Sequence, residues 1–201
     1  PTKVGLVKIK GNSVTKDNVI RGRIGLKPGY PFNVQEADRS RDRLLQTQLF
    51  NDVKMTIQQE DAQNSGYRDL LVEVEERQTG TLSFGLMAGS DTGLLGNISM
   101  NQTNFDIADW PESWSEFWNR KSFIGAGQQF SMEFQPGDEM FNYSVGLTDP
   151  RFLDTDYSVG GRVGYSRRNY SDYTQKTLYS RVSVGRRFGD IWKGNVSLAV
   201  N

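Results

Sequence analysis

The feature that most limits how this chain can fold is a change in residue alternation between Glu73 and Gly89. Before Arg77 the sequence is rich in charged residues, and its short apolar runs are separated by turn residues. After that point it consists of glycine-rich segments in which every second residue is uncharged and mostly apolar. Strict alternation predicts β-strands, because successive side chains of a strand point to opposite faces. The sequence therefore predicts two parts, residues 1–77 and residues 78–201.

The composition narrows the range of functions. The 201 residues include 24 basic and 24 acidic residues, so the net charge is zero and general binding of a polyanion is not favoured. Cysteine and histidine are both absent, which removes the thiol nucleophile, the commonest general base and the commonest metal ligands. We therefore expect a protein that is not an enzyme and that uses no cofactor or metal ion.

Average hydropathy does not decide whether the chain lies in a membrane. No apolar run approaches the roughly 18 residues of a membrane-spanning helix, and the mean hydropathy is −0.60. Strands that cross a membrane escape this test, because their polar and apolar residues alternate. The opening residues, Pro1 to Val4, do not form a signal peptide. We expect either that such a peptide was cleaved or that the sequence begins inside a longer protein.

Residues 1–77 predict a compact α+β domain. Its predicted elements, in order, are a strand over Val4–Lys10, a helix capped by Thr15 that runs through Ile24, a helix capped by Asn33, and strands over Val53–Ile57 and Leu70–Val74. Turn residues separate these elements, and Thr and Asn are favoured helix caps. The predicted order is therefore βααββ.

The two helices are predicted to be amphipathic. In the first, Val19 and Ile20 are expected to face inward, and Arg21 and Arg23 outward. The apolar stripe of the second comprises Val34, Ala37, Leu44, Leu45 and Leu49, and its solvated face comprises Asp38, Arg39, Arg41, Asp42 and Arg43. We interpret that charged run as a solvent-facing surface rather than a binding site.

The first part also resembles the polypeptide-transport-associated (POTRA) domain. The segments that carry the resemblance are Val7-Lys8-Ile9-Lys10-Gly11-Asn12, Val19-Ile20-Arg21, Arg43-Leu44-Leu45 and Leu49-Phe50-Asn51-Asp52-Val53. In that family the domain is periplasmic and precedes an outer-membrane barrel. The resemblance implies binding of unfolded clients by strand addition to a sheet edge.

Seven alternating segments follow residue 78. The positions assigned to their lipid-facing side are Leu82, Phe84, Leu86, Ala88; Leu94, Gly96, Ile98, Met100; Ile124, Ala126, Gln128, Phe130, Met132, Phe134; Phe141, Tyr143, Val145, Leu147; Tyr157, Val159, Gly161, Val163, Tyr165; Leu178, Ser180, Val182, Val184; and Trp192, Gly194, Val196, Leu198, Val200. None of these positions is charged. A charged side chain at mid-bilayer costs about 2–4 kcal/mol for Lys or Arg, so this pattern is expected of antiparallel membrane strands.

The opposite face of these segments is polar. It holds Thr81, Ser83, Asn97, Ser99, Asn101, Gln129, Glu133, Asn142, Ser144, Arg162, Arg181, Lys193 and Asn195. A soluble β-sandwich also alternates in this way and is the structural alternative. The many glycines and the aromatic residues near strand ends favour the membrane interpretation.

A tryptophan-rich stretch interrupts the strands. Trp110, Trp114 and Trp118 recur every four residues with Phe117 beside them, and Pro111 can begin a helix. We expect this helix to lie in the interface of the inner leaflet, where indoles prefer to sit. The alternative is a plug packed against the N-terminal domain or the barrel rim.

The second part resembles the N-terminal barrel strands of BamA-type outer-membrane assembly factors. The matching segments are Glu75-Glu76-Arg77-Gln78-Thr79-Gly80, Gln102-Thr103-Asn104-Phe105, Thr148-Asp149-Pro150-Arg151-Phe152, Tyr157-Ser158-Val159-Gly160-Gly161-Arg162 and Ser171-Asp172-Tyr173-Thr174. Barrels of that family have more strands than the seven found here, so we expect a piece of a longer protein. The resemblance implies a bacterial-type outer-membrane location with the first domain in the periplasm.

The resemblance also implies a function, the insertion and folding of outer-membrane β-barrel proteins. The first strand would be an edge that pairs with a client strand through Thr81, Leu82, Ser83, Phe84, Gly85, Leu86 and Met87. The expected partners are unfolded outer-membrane proteins, outer-membrane lipid and periplasmic accessory proteins, with no nucleic acid. Two alternatives remain open, polypeptide secretion through the barrel as in two-partner secretion, and a soluble binding module.

Overall fold

The computed structural model describes residues 3–58, 66–90, 93–115, 122–189 and 191–201. The chain forms two compact units. The first contains Pro1–Gln78 together with Pro111–Ala126, and the second contains Thr79–Trp110 and Gly127–Asn201.

The first unit has the predicted βααββ order. Its elements are β1 (Lys3–Lys10), α1 (Asp17–Arg21), α2 (Val34–Gln46), β2 (Phe50–Ile57) and β3 (Tyr67–Glu76). The strands form one sheet in the order β1-β3-β2, with β1 parallel and β2 antiparallel to β3. The central strand β3 comes last in sequence. Strands β1 and β2 are therefore joined into one sheet only when β3 pairs with both of them.

Apolar side chains from all these elements share one core. Its most buried members include Val4, Ile20, Leu44, Val53, Leu70 and Val72. Burial of each such side chain contributes about 1.5–3 kcal/mol to folding. Apolar contact between the helices and one face of the sheet therefore holds this unit together.

The first helix is shorter than the sequence predicted. It ends at Arg21, and its N-cap is Lys16 rather than Thr15. Thr15 is instead buried in the preceding loop, where its main-chain N–H donates to the Glu76 carboxylate. Arg23 was expected to face solvent, but it is 8% exposed. It lies beyond the end of the helix, so helical spacing does not govern its direction.

The second helix is capped by Asn33 as predicted, since the Asn33 side chain accepts from the N–H of Gln35. Its inward face differs from the predicted one. Val34 is 64% exposed, because it occupies the first helical position, outside the buried face. Ser40 is fully buried, and its hydroxyl oxygen accepts from the N–H of Gly25 at 2.9 Å. Arg43, predicted to be solvated, is mostly covered and pairs with Glu36.

The second unit is one antiparallel sheet. Its strands are β4 (Gly80–Gly89), β5 (Gly93–Phe105), β6 (Gln128–Gln135), β7 (Met140–Asp149), β8 (Tyr157–Asn169), β9 (Thr174–Phe188) and β10 (Trp192–Val200). Each strand pairs with its sequence neighbours, in the order β10-β9-β8-β7-β6-β5-β4. This arrangement is that of consecutive strands of a partial β-barrel.

The third membrane segment begins later than predicted. The sequence suggested a start at Ile124, whereas β6 begins at Gln128. The backbone φ angles of Phe123, Gly125 and Gly127 are 60°, 119° and 68°. A strand requires negative φ angles, so the apolar alternation at Ile124 and Ala126 does not extend the strand.

Strand register joins the predicted lipid-facing positions into a continuous belt. Leu82 lies opposite Met100, and Val145 opposite Val163. The same parity is kept in the other pairs of strands, except where β5 shifts register against β6 between Gln102 and Phe105. Exposed members of the belt include Leu82, Phe84, Leu86, Leu94, Tyr157, Val163, Leu178, Val182, Trp192, Val196 and Leu198. All described strands after residue 79 belong to this one sheet. The belt is therefore not the interior of a β-sandwich, and that alternative is wrong.

In the described part of the chain, no helix is long and apolar enough to cross a bilayer.

Candidate functional site

The candidate site is β4, the last strand at one side of the seven-stranded sheet. It pairs with β5 from Gly80 opposite Gln102 to Gly89 opposite Gly93. Among the described residues no strand lies on its other side. All seven residues predicted for the pairing edge, residues 81–87, lie within it.

The hydrogen-bond direction along β4 follows from its first contact with β5. The N–H of Thr103 donates to the carbonyl oxygen of Thr79 at 3.1 Å. Antiparallel strands alternate between pairs that exchange hydrogen bonds and pairs that do not. In the observed register, the N–H and C=O groups of Thr81, Ser83, Gly85 and Met87 therefore point toward β5, and those of Leu82, Phe84, Leu86 and Ala88 point toward the open edge.

Two of the residues whose backbone groups point to the open edge, Phe84 and Leu86, have the most exposed large apolar side chains of β4. Leu86 is 85% exposed and Phe84 is 71% exposed. Gly85 lies between them, and a Cβ atom added there would meet only Asn97 Cβ, at 3.7 Å. Tight packing therefore does not require glycine at this position. The edge presents its backbone groups beside side chains that suit a hydrocarbon environment.

The tryptophan-rich segment is only partly within the described residues. Trp110 and Trp114 are 71% and 80% exposed, and a helical turn begins at Trp114. Phe117 and Trp118 lie outside the described residues. The segment ends in residues 122–126, where the carbonyl oxygen of Gly125 accepts a hydrogen bond of 2.9 Å from the N–H of Lys16. This end of the segment thus belongs to the first unit.

One carboxylate with several hydrogen-bond donors around it was not predicted from the sequence. Glu76, the last residue of β3, accepts hydrogen bonds from the main-chain N–H groups of Ser13, Val14 and Thr15 at 2.6 to 3.1 Å. The Ser13 hydroxyl also donates to it at 2.6 Å. Partial burial raises the pKa of Glu76, but the hydrogen bonds from Ser13 and Thr15 outweigh it and lower the pKa below its ordinary value.

In the sequence, only the Glu75-Glu76 pair drew attention to Glu76. The two side chains point to opposite faces of β3, so the pair did not predict these hydrogen bonds. Glu76 fastens the loop after β1 to the end of β3. Within the described residues, no group of three or more Asp or Glu side chains is placed to hold a metal ion. The arrangement around Glu76 is therefore a structural clasp of backbone donors around one carboxylate.

Comparison with protein families matches two domain models. Residues 2–77 match the POTRA model, described as a surface antigen variable number repeat. Residues 122–201 match the Omp85 superfamily domain. The first matched segment contains the N-terminal sheet, and the second contains all five strands from β6 to β10.

Similar proteins include the outer membrane protein assembly factor BamA of Neorickettsia risticii, 30% identical over 91% of this chain and 22% of that protein. BamA of Buchnera aphidicola subsp. Acyrthosiphon pisum is 26% identical over 80% of this chain and 23% of that protein. The chain thus spans about a fifth of the length of these relatives.

Solved structures show the same fold. BamA from Haemophilus ducreyi lacking POTRA domains 1–3 has a TM-score of 0.71 at 22% identity, over 98% of this chain and 35% of that one. CdiB from Acinetobacter baumannii has a TM-score of 0.53 at 16% identity, over 98% of this chain and 38% of that one.

Proposed function

Because the chain is a BamA-type member of the Omp85 superfamily, we propose that it takes part in inserting and folding β-barrel proteins in the outer membrane. It is an outer-membrane protein whose POTRA domain is periplasmic. We infer this activity of the whole protein from the edge of β4, which belongs to this chain. The observation that supports the proposal most directly is the open side of β4.

The physical argument begins with the cost of unpaired backbone groups in lipid. Each such group in hydrocarbon costs several kcal/mol, so a strand entering the bilayer needs a partner. The backbone groups of Leu82, Phe84 and Leu86 are directed to the open edge of β4, and these side chains are exposed on the apolar belt. A client strand that adds there satisfies its own backbone groups and extends the belt.

Recognition through the main chain accounts for tolerance of many clients. Backbone hydrogen bonds do not depend on side-chain identity, and alternate positions need only be apolar. In the complete protein, any strand that pairs with β4 competes with the client for the same groups. The proposed role involves no bond-making chemistry, and its partners are unfolded outer-membrane proteins and membrane lipid. Periplasmic accessory proteins are the proposed partners of the POTRA domain.

Proline substitution separates main-chain recognition from side-chain recognition. Leu86→Pro removes one N–H that points to the open edge and leaves the hydrogen bonds to β5 in place. Leu86→Ala shortens the side chain and keeps that N–H. We expect Leu86→Pro to reduce client insertion strongly and Leu86→Ala to reduce it little. Equal effects of the two substitutions would contradict templating by the main chain.

Crosslinking tests the location of the client. Single cysteines at Leu82, Phe84 and Leu86 are expected to crosslink to cysteines in the terminal strand of a nascent barrel protein, with a fixed register. Cysteines at Val182 and Val184 serve as controls, because β9 is paired on both sides. If cysteines in β9 crosslink with equal yield, the client binds to exposed apolar side chains in general and not to the edge of β4.

Secretion through the barrel predicts a different pattern of crosslinks. A polypeptide that passes through the lumen would contact polar-face residues such as Ser83 and Ser99, which lie opposite each other. The likeness to CdiB is at 16% identity and shows the fold alone. Crosslinks from these polar positions, with none from Leu82 to Leu86, would favour secretion.

A further inference from the structure

Two cations lie side by side on the apolar face of the sheet. Arg167 of β8 is directly opposite Lys176 of β9. Both residues have the parity of Tyr165 and Leu178, so their side chains leave the sheet on the side of the apolar belt. Like charges directly opposite each other on one face destabilise a sheet. An anion placed between them would remove that cost.

Among the described residues, no acidic side chain forms an ion pair with Arg167 or Lys176. The Nε atom of Arg167 is buried and has no hydrogen-bond partner in the described part of the chain. The charge of Arg167 is therefore not neutralised by the described part of the chain, and its guanidinium can pair with an external anion.

Aromatic side chains lie next to Arg167 on the same face of the sheet. The Arg167 guanidinium lies 5.9 Å from the centre of the Phe141 ring. Phe141 contacts Tyr165 and Phe134, with ring centres 6.1 and 5.6 Å away. Aromatic residues of this kind mark the boundary between the hydrocarbon and the headgroups of a membrane. The two cations thus lie at the edge of the belt, where headgroups are expected.

The length of β8 agrees with a position of Arg167 at the boundary between hydrocarbon and headgroups. Tyr157, at the other end of the belt, is ten residues from Arg167 along the strand, which corresponds to about 33 Å. With the usual tilt of barrel strands this spans about 25 Å of membrane, the height of the apolar band of an outer-membrane barrel. At the Tyr157 end, the boundary carries Arg186, whose guanidinium lies over the Tyr157 and Phe188 rings at 5.1 and 5.2 Å. The paired cations are found at the Arg167 end.

The side of the membrane follows from chain connectivity. β4 follows the periplasmic domain directly, so its first residue, Gly80, is at the periplasmic end of the sheet. Antiparallel order then places the connection between β8 and β9, residues 170–173, at the outer end. Arg167 and Lys176 flank that connection and therefore face the outer leaflet.

We propose that Arg167 and Lys176 form a binding site for the phosphate group of a lipid in the outer leaflet. Arginine offers planar N–H donors that match a phosphate, and lysine adds a second compact charge. The acyl chains of the same lipid would cover the exposed side chains below, among them Leu178 and Val163. This site lies on β8 and β9, away from the open edge of β4, and is independent of client insertion.

The test uses the complete protein in detergent and measures retained lipid by native mass spectrometry. Phosphatidylglycerol is the probe, and diacylglycerol, which lacks the phosphate, is the comparison lipid. A cation near a membrane surface contributes about 1 kcal/mol to lipid attraction, so R167Q/K176Q is expected to bind phosphatidylglycerol about 30-fold more weakly. R167K/K176R keeps both charges and one guanidinium, so it is expected to weaken binding less than R167Q/K176Q does.

Arg162 and Arg181 provide a matched control. They are directly opposite each other on the same two strands, but on the polar face. R162Q/R181Q removes the same charge and is expected to retain phosphatidylglycerol as the wild type does. Thermal unfolding in the same detergent checks that each variant is folded. Unchanged binding by R167Q/K176Q, or an equal loss in R162Q/R181Q, would overturn the proposal.

Inorganic phosphate distinguishes a lipid site from a site for the free ion. Phosphate in large excess is expected to leave phosphatidylglycerol bound, since the free ion lacks the acyl chains that contact the belt. Displacement of the lipid by an equimolar amount of phosphate would contradict a lipid site. Binding of diacylglycerol as tight as that of phosphatidylglycerol would contradict recognition of the phosphate.

Discussion

The main-chain N–H of Lys16 donates a hydrogen bond of 2.9 Å to the carbonyl oxygen of Gly125. These residues are far apart in sequence, and the bond joins the loop after β1 to the end of the tryptophan-rich segment. The same loop is fastened from another direction by Glu76. Residues 122–126 therefore belong to the first unit although they lie between two strands of the second.

Gly125 is required for this contact. Its φ angle is 119°, and a Cβ atom built there would lie 2.6 Å from the carbonyl oxygen of Val14. Gly125→Ala is expected to weaken the contact by about 1–3 kcal/mol, so hydrogen exchange at Lys16 should be faster by about 5-fold to 150-fold. Gly161→Ala is the control, because no atom lies within 4 Å of the added Cβ. Unchanged exchange at Lys16 would show that the segment tolerates a side chain there.

Glu76→Gln tests the carboxylate clasp. The substitution replaces charge-assisted hydrogen bonds with neutral ones and is expected to destabilise the loop by about 1.5–3 kcal/mol at neutral pH. Hydrogen exchange of the amides of residues 13–15 in the complete protein measures the effect. Glu75→Gln, at the exposed neighbouring position, is expected to change little. Equal effects of both substitutions would assign the result to net charge rather than to the clasp.

The clasp also predicts a pH dependence. The pKa of Glu76 is lowered from its ordinary value of 4.5 in the folded state. A lowered carboxylate pKa stabilises the folded state above that ordinary value, and the stabilisation is lost as pH falls through the folded pKa. Protection of residues 13–15, corrected for intrinsic exchange, should therefore decrease below about pH 4.5. In Glu76→Gln this decrease should be smaller, and an identical decrease would assign it to other groups.

The strands could be predicted because one physical penalty acts on each of them. Lipid excludes charge from every second position, so Val145 and Val163, opposite each other in the sheet, were assigned to one face from sequence alone. The same rule failed at Ile124, where apolar alternation continues but the backbone turns through positive φ angles at Phe123 and Gly125. The alternation of apolar and polar residues indicates which environment a side chain faces. It does not indicate whether the backbone φ angles are those of a strand.

The clasp could not be predicted for a different reason. Glu76 and Thr15 are brought together only when β3 has entered the sheet beside β1. A short loop with Ser and Thr also favours a helix cap, which is what the sequence suggested for Thr15. Tertiary contact changed that outcome, since the Glu76 carboxylate binds the N–H groups of residues 13–15 and holds Thr15 in the loop before the helix. The paired cations Arg167 and Lys176 likewise required the register of β8 and β9.

The apolar belt can be tested with adjacent residues of β10. Val196 is 78% exposed on the belt, and Asn195 is on the polar face. Val196→Lys is expected to cost about 2–4 kcal/mol in folding from urea into lipid vesicles, whereas Asn195→Lys should cost about 1 kcal/mol or less. The complete protein is used, and the folded fraction is followed during the urea titration. Equal costs for the two substitutions would mean that hydrocarbon does not cover the belt.

Trp110 and Trp114 test whether the tryptophan-rich segment binds the membrane interface. Both are mostly exposed, and exposed indoles favour the headgroup region. A peptide of residues 109–121 in which Trp110, Trp114 and Trp118 are replaced by serine should partition into lipid vesicles on the order of a thousandfold more weakly, since each buried indole contributes about 1.5 kcal/mol. Replacement of the same residues by phenylalanine retains the aromatic rings and should preserve most of the partition. If the serine peptide partitions as well as the natural one, the interfacial interpretation fails, and the bond between Lys16 and Gly125 would then favour a segment that packs on protein.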